Sequence, residues 1–247
     1  MAPSMSIREH IRWLPDPASE PTSTLVLTSN ENRFIDIRVL KSNTESEFVS
    51  SDGGVLPLHR LDWAFAGTSK SEVRHSDDGK VYAHSTWMHW VSSRTRNVDG
   101  ISDEGDMWPQ PKGRVLETGN MINPATGKAT DYEELWYDPP AKAVDDAKDG
   151  DEAKKCCVVL QLHDDEHEAR GLVVRVGQCV QGVLRIGQAF SLERWEWKGK
   201  GDGWKREVRM GDFWMPCGPA TSDERLKMGG EVKFGEFVWK VVELSYF

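Results

Sequence analysis

The chain has 247 residues and carries 31 Lys and Arg against 40 Asp and Glu, a formal net charge of -9. That field and the lack of a concentrated basic stripe argue against a nucleic-acid partner, and no run of 18 apolar residues exists that could cross a membrane as a helix. At 38% hydrophobic and 29% charged residues the composition is that of a globular chain, long enough for one large or two smaller β domains with real cores.

The first ten residues lack an apolar signal core, so the expected compartment is the cytosol, with the nucleus as the second choice. The first half then alternates as β structure does. Residues 24–28 form a short candidate strand, and the polar 29–32 link it, as a hairpin would, to residues 33–40. In that second strand Ile35, Ile37 and Val39 share one face, and Asp36 and Arg38 the other, the pattern of a half-buried strand. Residues 81–91 make a longer strand with Ser85, Trp87 and His89 on one face and His84, Thr86, Met88 and Trp90 on the other. Residues 114–118 and 132–137 are further strands. Residues 139–155 begin with two prolines and continue in Ala, Lys, Asp and Glu with no apolar period, which reads as an acidic linker.

A second β block follows: residues 156–162, 171–176, 180–186, 190–197, 204–210 and 237–244, short strands at about ten-residue spacing with Gly-rich turns. One short helix is expected over 222–228, with Ser222 as its cap and Gly229 as its stop. The four cysteines, Cys156, Cys157, Cys179 and Cys217, all lie in this block. On a strand Cys156 and Cys157 point to opposite faces, which suits neither a bridge nor shared metal ligation. They read as reduced thiols.

Two motifs invite chemistry and fail on context. His163-Asp164-Asp165-Glu166-His167 matches H-x-x-E-H, but that pattern binds zinc only from a helix, and here it lies between two apolar strands, as a hairpin tip does. Gly199-Lys200-Gly201-Asp202-Gly203 lacks the ending of a phosphate loop and precedes a strand, so it too reads as a turn. No nucleotide, metal or other cofactor motif is found, and none is expected. The aromatic inventory says more. Eleven Trp stand against four Tyr. Trp63, Trp87, Trp90 and Trp136 fall in strands of the first block, with Glu117 and Glu134 near them. Such residues fill a small barrel's core or line an apolar ligand pocket, in which a buried carboxyl with a raised pKa could act as general acid or base.

Four stretches occur in an order that resembles the fungal Hri-type family, named for interaction with a yeast casein kinase I. They are Asp62-Trp63-Ala64-Phe65-Ala66-Gly67-Thr68, Glu117-Thr118-Gly119, Glu133-Glu134-Leu135-Trp136, and Gly171-Leu172-Val173-Val174-Arg175-Val176-Gly177 followed by Gln181-Gly182. The resemblance implies an all-β chain of two dissimilar, lipocalin-like β-barrel domains, here residues 1–138 and 156–247 joined by the acidic linker 139–155. It brings no established catalytic residues. It implies a non-enzymatic interaction protein with a protein kinase of the casein kinase I class as partner. The alternative from the residues is a cofactor-independent cyclase or isomerase of an apolar fungal metabolite. In that reading Glu117 and Glu134 are the acid–base groups and Trp63, Trp87, Trp90 and Trp136 the ligand-binding walls. Around Cys179, and in the length of the linker, the chain departs from the family pattern.

Overall fold

The computed structural model describes residues 2–42, 54–144 and 154–247. Eight antiparallel strands close into a barrel in chain order: β1 (Ser4–Trp13), β2 (Thr22–Thr28), β3 (Arg33–Leu40), β4 (Leu61–His75), β5 (Val81–Ser92), β6 (Ser102–Gln110), β7 (Arg114–Asn123) and β8 (Lys128–Tyr137). β8 returns to pair with β1, so the barrel has no free edge. Seven more strands form a second antiparallel sheet: β9 (Cys156–Asp164), β10 (Ala169–Val176), β11 (Cys179–Ile186), β12 (Ala189–Trp197), β13 (Trp204–Met210), β14 (Glu231–Phe234) and β15 (Phe237–Tyr246). Their order is β13-β12-β11-β10-β9-β15-β14, with β13 and β14 at the two ends. The chain is all-β, and no helix among the described residues is long and apolar enough to cross a membrane.

Both motifs with misleading chemistry sit in turns. His163–His167 closes the β9–β10 hairpin, with His163 on Asp165 at 2.8 Å and His167 on Asp164 at 3.0 Å. Gly199–Gly203 closes β12 to β13. The helix expected over 222–228 shrinks to a single 3-10 turn, Asp223–Arg225, preceded by a four-residue helix α1 (Cys217–Ala220). The cause is local: Arg175 draws in the carbonyls of Ala220 and Thr221 and the Asp223 carboxylate, and buried Leu226 pulls the chain into an extended path. Cys156 and Cys157 do point to opposite faces, both buried, and burial pushes each thiol up to about 12.

The barrel and the sheet share a core. Leu27, Ile35, Ile37 and Ala64 on the outer face of β2–β4 pack against Val159, Leu172, Val174 and Leu192 of the sheet. The sheet's other face carries a second cluster under α1, built on Val158, Leu160, Val173 and Trp239. Polar side chains cross the seam as well. Gln181 donates to the carbonyls of Leu25 and Ile35, and Arg194 donates to the Ile37 carbonyl at 2.8 Å and to Gln181 Oε1 at 3.0 Å. Arg185 reaches the Ser92 carbonyl at 2.7 Å. Of the linker, residues 145–153 lie outside the described residues. Ala141 packs on the shared core, and the Lys142 N–H donates to Gln178.

This packing changes the reading of β3. The expected half-buried strand is buried on both faces. Ile35, Ile37 and Val39 face the sheet, and the polar face, Asp36 and Arg38, points into the barrel instead of solvent. A single antiparallel sheet would wet that side; closing the sheet encloses it.

Candidate functional site

The barrel interior holds a cavity of about 140 Å³. Alternation along each strand decides what reaches it. β3 contributes Phe34, Asp36 and Arg38, β4 contributes Trp63 and Phe65, and β7 and β8 contribute Glu117, Tyr132 and Trp136. Trp87 of β5 and Asp103 of β6 complete one side, both half-buried, and Asp138 stands exposed at the rim.

Beneath the aromatic walls runs an ion-pair chain. Arg38 binds Asp36 Oδ2 through Nε at 2.9 Å and Nη2 at 2.8 Å, and Glu134 Oε1 through Nη1 at 2.9 Å. Arg8 of β1 also binds Glu134 Oε1, then Glu20 at 2.9 Å and Thr22 at 2.8 Å. Glu134 therefore bridges two guanidiniums through one oxygen. Its other oxygen, Oε2, and Asp36 Oδ1 are buried with no hydrogen-bond partner in the protein. Asp36 is 3% and Glu134 1% exposed, so neither orphan is satisfied by bulk water. Burial raises the Asp36 pKa despite the opposing pull of Arg38. Arg38 is also buried, but Asp36 and Glu134 outweigh that penalty and hold it firmly charged.

Glu117 is differently placed. Its Oε1 is 2.7 Å from the Tyr132 hydroxyl, and Oε2 accepts from the Trp136 indole N–H at 2.9 Å. Burial first, and the nearby Glu134 charge second, push its pKa up to about 8, so at neutral pH it holds a proton. The Tyr132 hydroxyl donates to Oε1 and the Trp136 indole to Oε2, so both oxygens are met within the protein. The same burial and the Glu117 charge raise Tyr132. Two glycines make the space. A Cβ at Gly105 would lie 2.9 Å from Glu117 Cγ, and one at Gly119 would lie 2.7 Å from the Tyr132 ring.

Of the residues singled out from sequence, the structure brings Trp63, Trp87, Trp136 and Glu117 onto the cavity, with Glu134 immediately beneath in the ion-pair chain. It does not bring Trp90 there. A β-bulge between Ala66 and Gly67 pairs Ala66 with Val91 and Gly67 with His89, leaving Trp90 as the extra residue. Trp90 packs at the seam with the sheet, edge-on to His163 and under the Arg170 guanidinium at 4.6 Å. Gly67 permits the bulge, because a Cβ there would sit 1.8 Å from the Met88 carbonyl oxygen. Sequence reading missed Asp36, Arg38, Arg8 and Tyr132. The first two carried a signal, a carboxylate and a guanidinium two apart on the face opposite an aliphatic row. Arg8 carried none.

The fold and site define an all-β protein with a closed barrel enclosing a small, aromatic-walled, carboxylate-bearing cavity. The family model described as Protein HRI1 matches residues 4–243, and the chain belongs to that family. Protein HRI1 of Kluyveromyces lactis is 28% identical over 73% of both chains. That of Vanderwaltozyma polyspora is 28% identical over 94% of this chain and 95% of its own. That of Lachancea thermotolerans is 32% identical over 68% of this chain and 64% of its own. The crystal structure of the uncharacterized protein YLR301w from Saccharomyces cerevisiae superimposes with a TM-score of 0.72, covering 99% of this chain and 100% of that one at 19% identity, a likeness of fold alone.

Proposed function

We propose that this chain is a non-catalytic binding protein whose barrel seats one small molecule. The observation that carries the reading is the pair of buried, unpartnered carboxylate oxygens, Asp36 Oδ1 and Glu134 Oε2, beside a cavity walled by Trp63, Trp87 and Trp136. Buried polar atoms in folded proteins are nearly always hydrogen-bonded, and an orphan costs about 1–3 kcal/mol. A barrel filled for stability alone would close such a space with side chains. The size limits the occupant. About 140 Å³ suits a molecule near benzene in bulk. Polycyclic metabolites need pockets of roughly 300 Å³ or more, so the volume weighs against a cyclase of large apolar substrates. The test is protein-observed NMR of the full chain against small aromatic fragments. Saturable shifts confined to the barrel are expected, abolished by Met121→Trp, which enlarges a β7 side chain on the cavity wall. Fragments that shift no barrel resonance would sink the reading.

Glu117 favours a second reading, because a protonated carboxyl on a cavity wall is equipped to give a proton to a bound substrate. Glu117→Gln separates the two. An enzyme would keep ligand binding and lose turnover by about 100- to 10,000-fold, whereas a binder has no turnover to lose. A partner kinase of the casein kinase I class rests on the resemblance and on the net charge of -9. Association in a pull-down should weaken as salt rises, and its absence at every salt concentration would remove that partner.

A further inference from the structure

We infer that the barrel seat takes a small organic cation bearing at least one N–H, an ammonium or amidinium on a compact body, an inference that rests on the binding reading above. The first ground is charge. Among the described residues lining the cavity the carboxylates are Asp36, Asp103 and Asp138, with Glu117 holding its proton, against one guanidinium, Arg38. Arg38 is not available to an anion, because its Nε and Nη2 are held by Asp36 and its Nη1 by Glu134. Arg8, deeper in the barrel, is likewise held by Glu20, Glu134 and Thr22. An anionic guest would meet several carboxyls and no uncommitted guanidinium in the lining, the Arg94 guanidinium lying over Trp63 outside it.

The second ground is the orphan oxygen. Asp36 lines the cavity and is 3% exposed, and its Oδ1, buried beside the cavity, has no partner in the protein. A carboxylate oxygen accepts only, so the group that completes it must donate. An apolar guest would leave it unmet, and a quaternary ammonium has no N–H to give. A protonated amine meets both the charge and the lone pair, and such charge-assisted bonds are about twice as strong as neutral ones.

The walls are the third ground. Phe34, Trp87 and Trp136 offer aromatic surface to the space, and the faces of aromatic rings attract cations, while Trp63 and Phe65 stack on each other at 4.2 Å. The protein already uses them that way. The Arg38 guanidinium lies 5.4 Å from the Trp63 ring centroid and the Arg94 guanidinium 4.1 Å. The volume then limits the body to about the size of a single six-membered ring.

Three probes of nearly one shape decide the matter by calorimetry and protein-observed NMR on the full chain: benzylammonium, benzyl alcohol and benzoate. Benzylammonium should bind at least about tenfold more tightly than the alcohol, a difference of about 1.4 kcal/mol, and benzoate should not bind. Asp36→Asn, which keeps the shape and removes the charge, should erase the preference for the amine over the alcohol. The ranking in the unaltered protein stands as a test if that variant fails to fold. Benzyl alcohol or benzoate binding as tightly as the amine would overturn the cation inference and leave the binding reading in place. If no probe binds while Met121→Trp raises the unfolding midpoint, the cavity is a packing defect and the binding reading falls with it.

Discussion

Glu117 is a residue whose proton is set by its neighbours. Burial and the Glu134 charge put its pKa up to about 8, against an ordinary value of 4.5. Between pH 4.5 and about 8 the folded chain keeps a proton that the unfolded chain has released, so this residue makes stability fall as pH rises through that window and leaves it flat above. Glu117→Gln mimics the protonated acid: its carbonyl can accept from Trp136 and its amide can donate to Tyr132. Urea unfolding of both proteins at pH 5, 7 and 9 should show the native chain losing stability against the variant by a few kcal/mol across that range. Parallel curves would show that Glu117 is ionised in the folded protein. The sequence offered Glu117 and Glu134 as a matched pair of acid–base groups. It could not show that Glu134 lies between Arg8 and Arg38 while Glu117 faces an indole and a phenol, because those partners come from β1, β3 and β8, far apart in the chain.

At the scale of elements, the strands that read clearly are those with one aliphatic row, such as β3, and the Val-rich β9 to β11. β6, Ser-Asp-Glu-Gly-Asp-Met-Trp-Pro-Gln, went unread because its alternation is broken by Gly105 and Pro109, and its pairing with β5 and β7 supplies what its own residues do not. β1 was hidden because its inward residues are polar, Ser6 on the cavity and Arg8 buried against Glu134. Trp90 misled although alternation was enough to place it: it falls with Met88 on the face opposite Trp87, outside the barrel, and the bulge opposite Gly67 sets Val91 on that outer face beside it. The seam between the two sheets was equally hidden, since an arginine and a glutamine in strands ordinarily mark the solvent face. Arg194 is 8% exposed and makes its bonds to Gln181, Ser23 and the Ile37 carbonyl; burial lowers its pKa to about 10. Arg194→Met keeps the stem and removes these bonds, and should lower stability by about 3 kcal/mol in urea unfolding. Arg96→Met, at an exposed pair with Glu168 at 3.5 Å, is the control and should change it by less than about 1 kcal/mol. Equal effects would mean that the seam is held by its apolar contacts alone.

For the whole molecule the question is whether the barrel and the sheet are independent. The composition change after Tyr137 suggests two domains on a tether, and the strands do divide there, β8 ending at Tyr137 and β9 starting at Cys156. The packing argues for interdependence. The outer face of β2–β4 is aliphatic, with Leu27, Ile35, Ile37 and Ala64 at 0% exposure, and the sheet covers it with Val159, Val174 and Leu192, also at 0%. Separation would expose both rows together, at about 25 cal/mol for each Å² of apolar surface. It would also strip Gln181 and Arg194 of their carbonyl acceptors, and Glu243 of its bonds to Ser29 and Arg33 at 2.7 Å. We therefore expect residues 1–144 and 154–247, produced as separate chains in one cell, to purify together at a one-to-one ratio and to unfold in a single transition. Each expressed alone should aggregate or bind a dye that reports exposed apolar surface. Two soluble halves with separate melting transitions, and no association on mixing, would show that the shared core is a contact between finished domains. Sharing the core would also couple the ligand seat to the sheet, because the strand that offers Asp36 to the cavity offers Ile35 and Ile37 to the seam. Arg194→Met should then weaken binding in the barrel by more than Arg96→Met does, although Arg194 does not line the cavity.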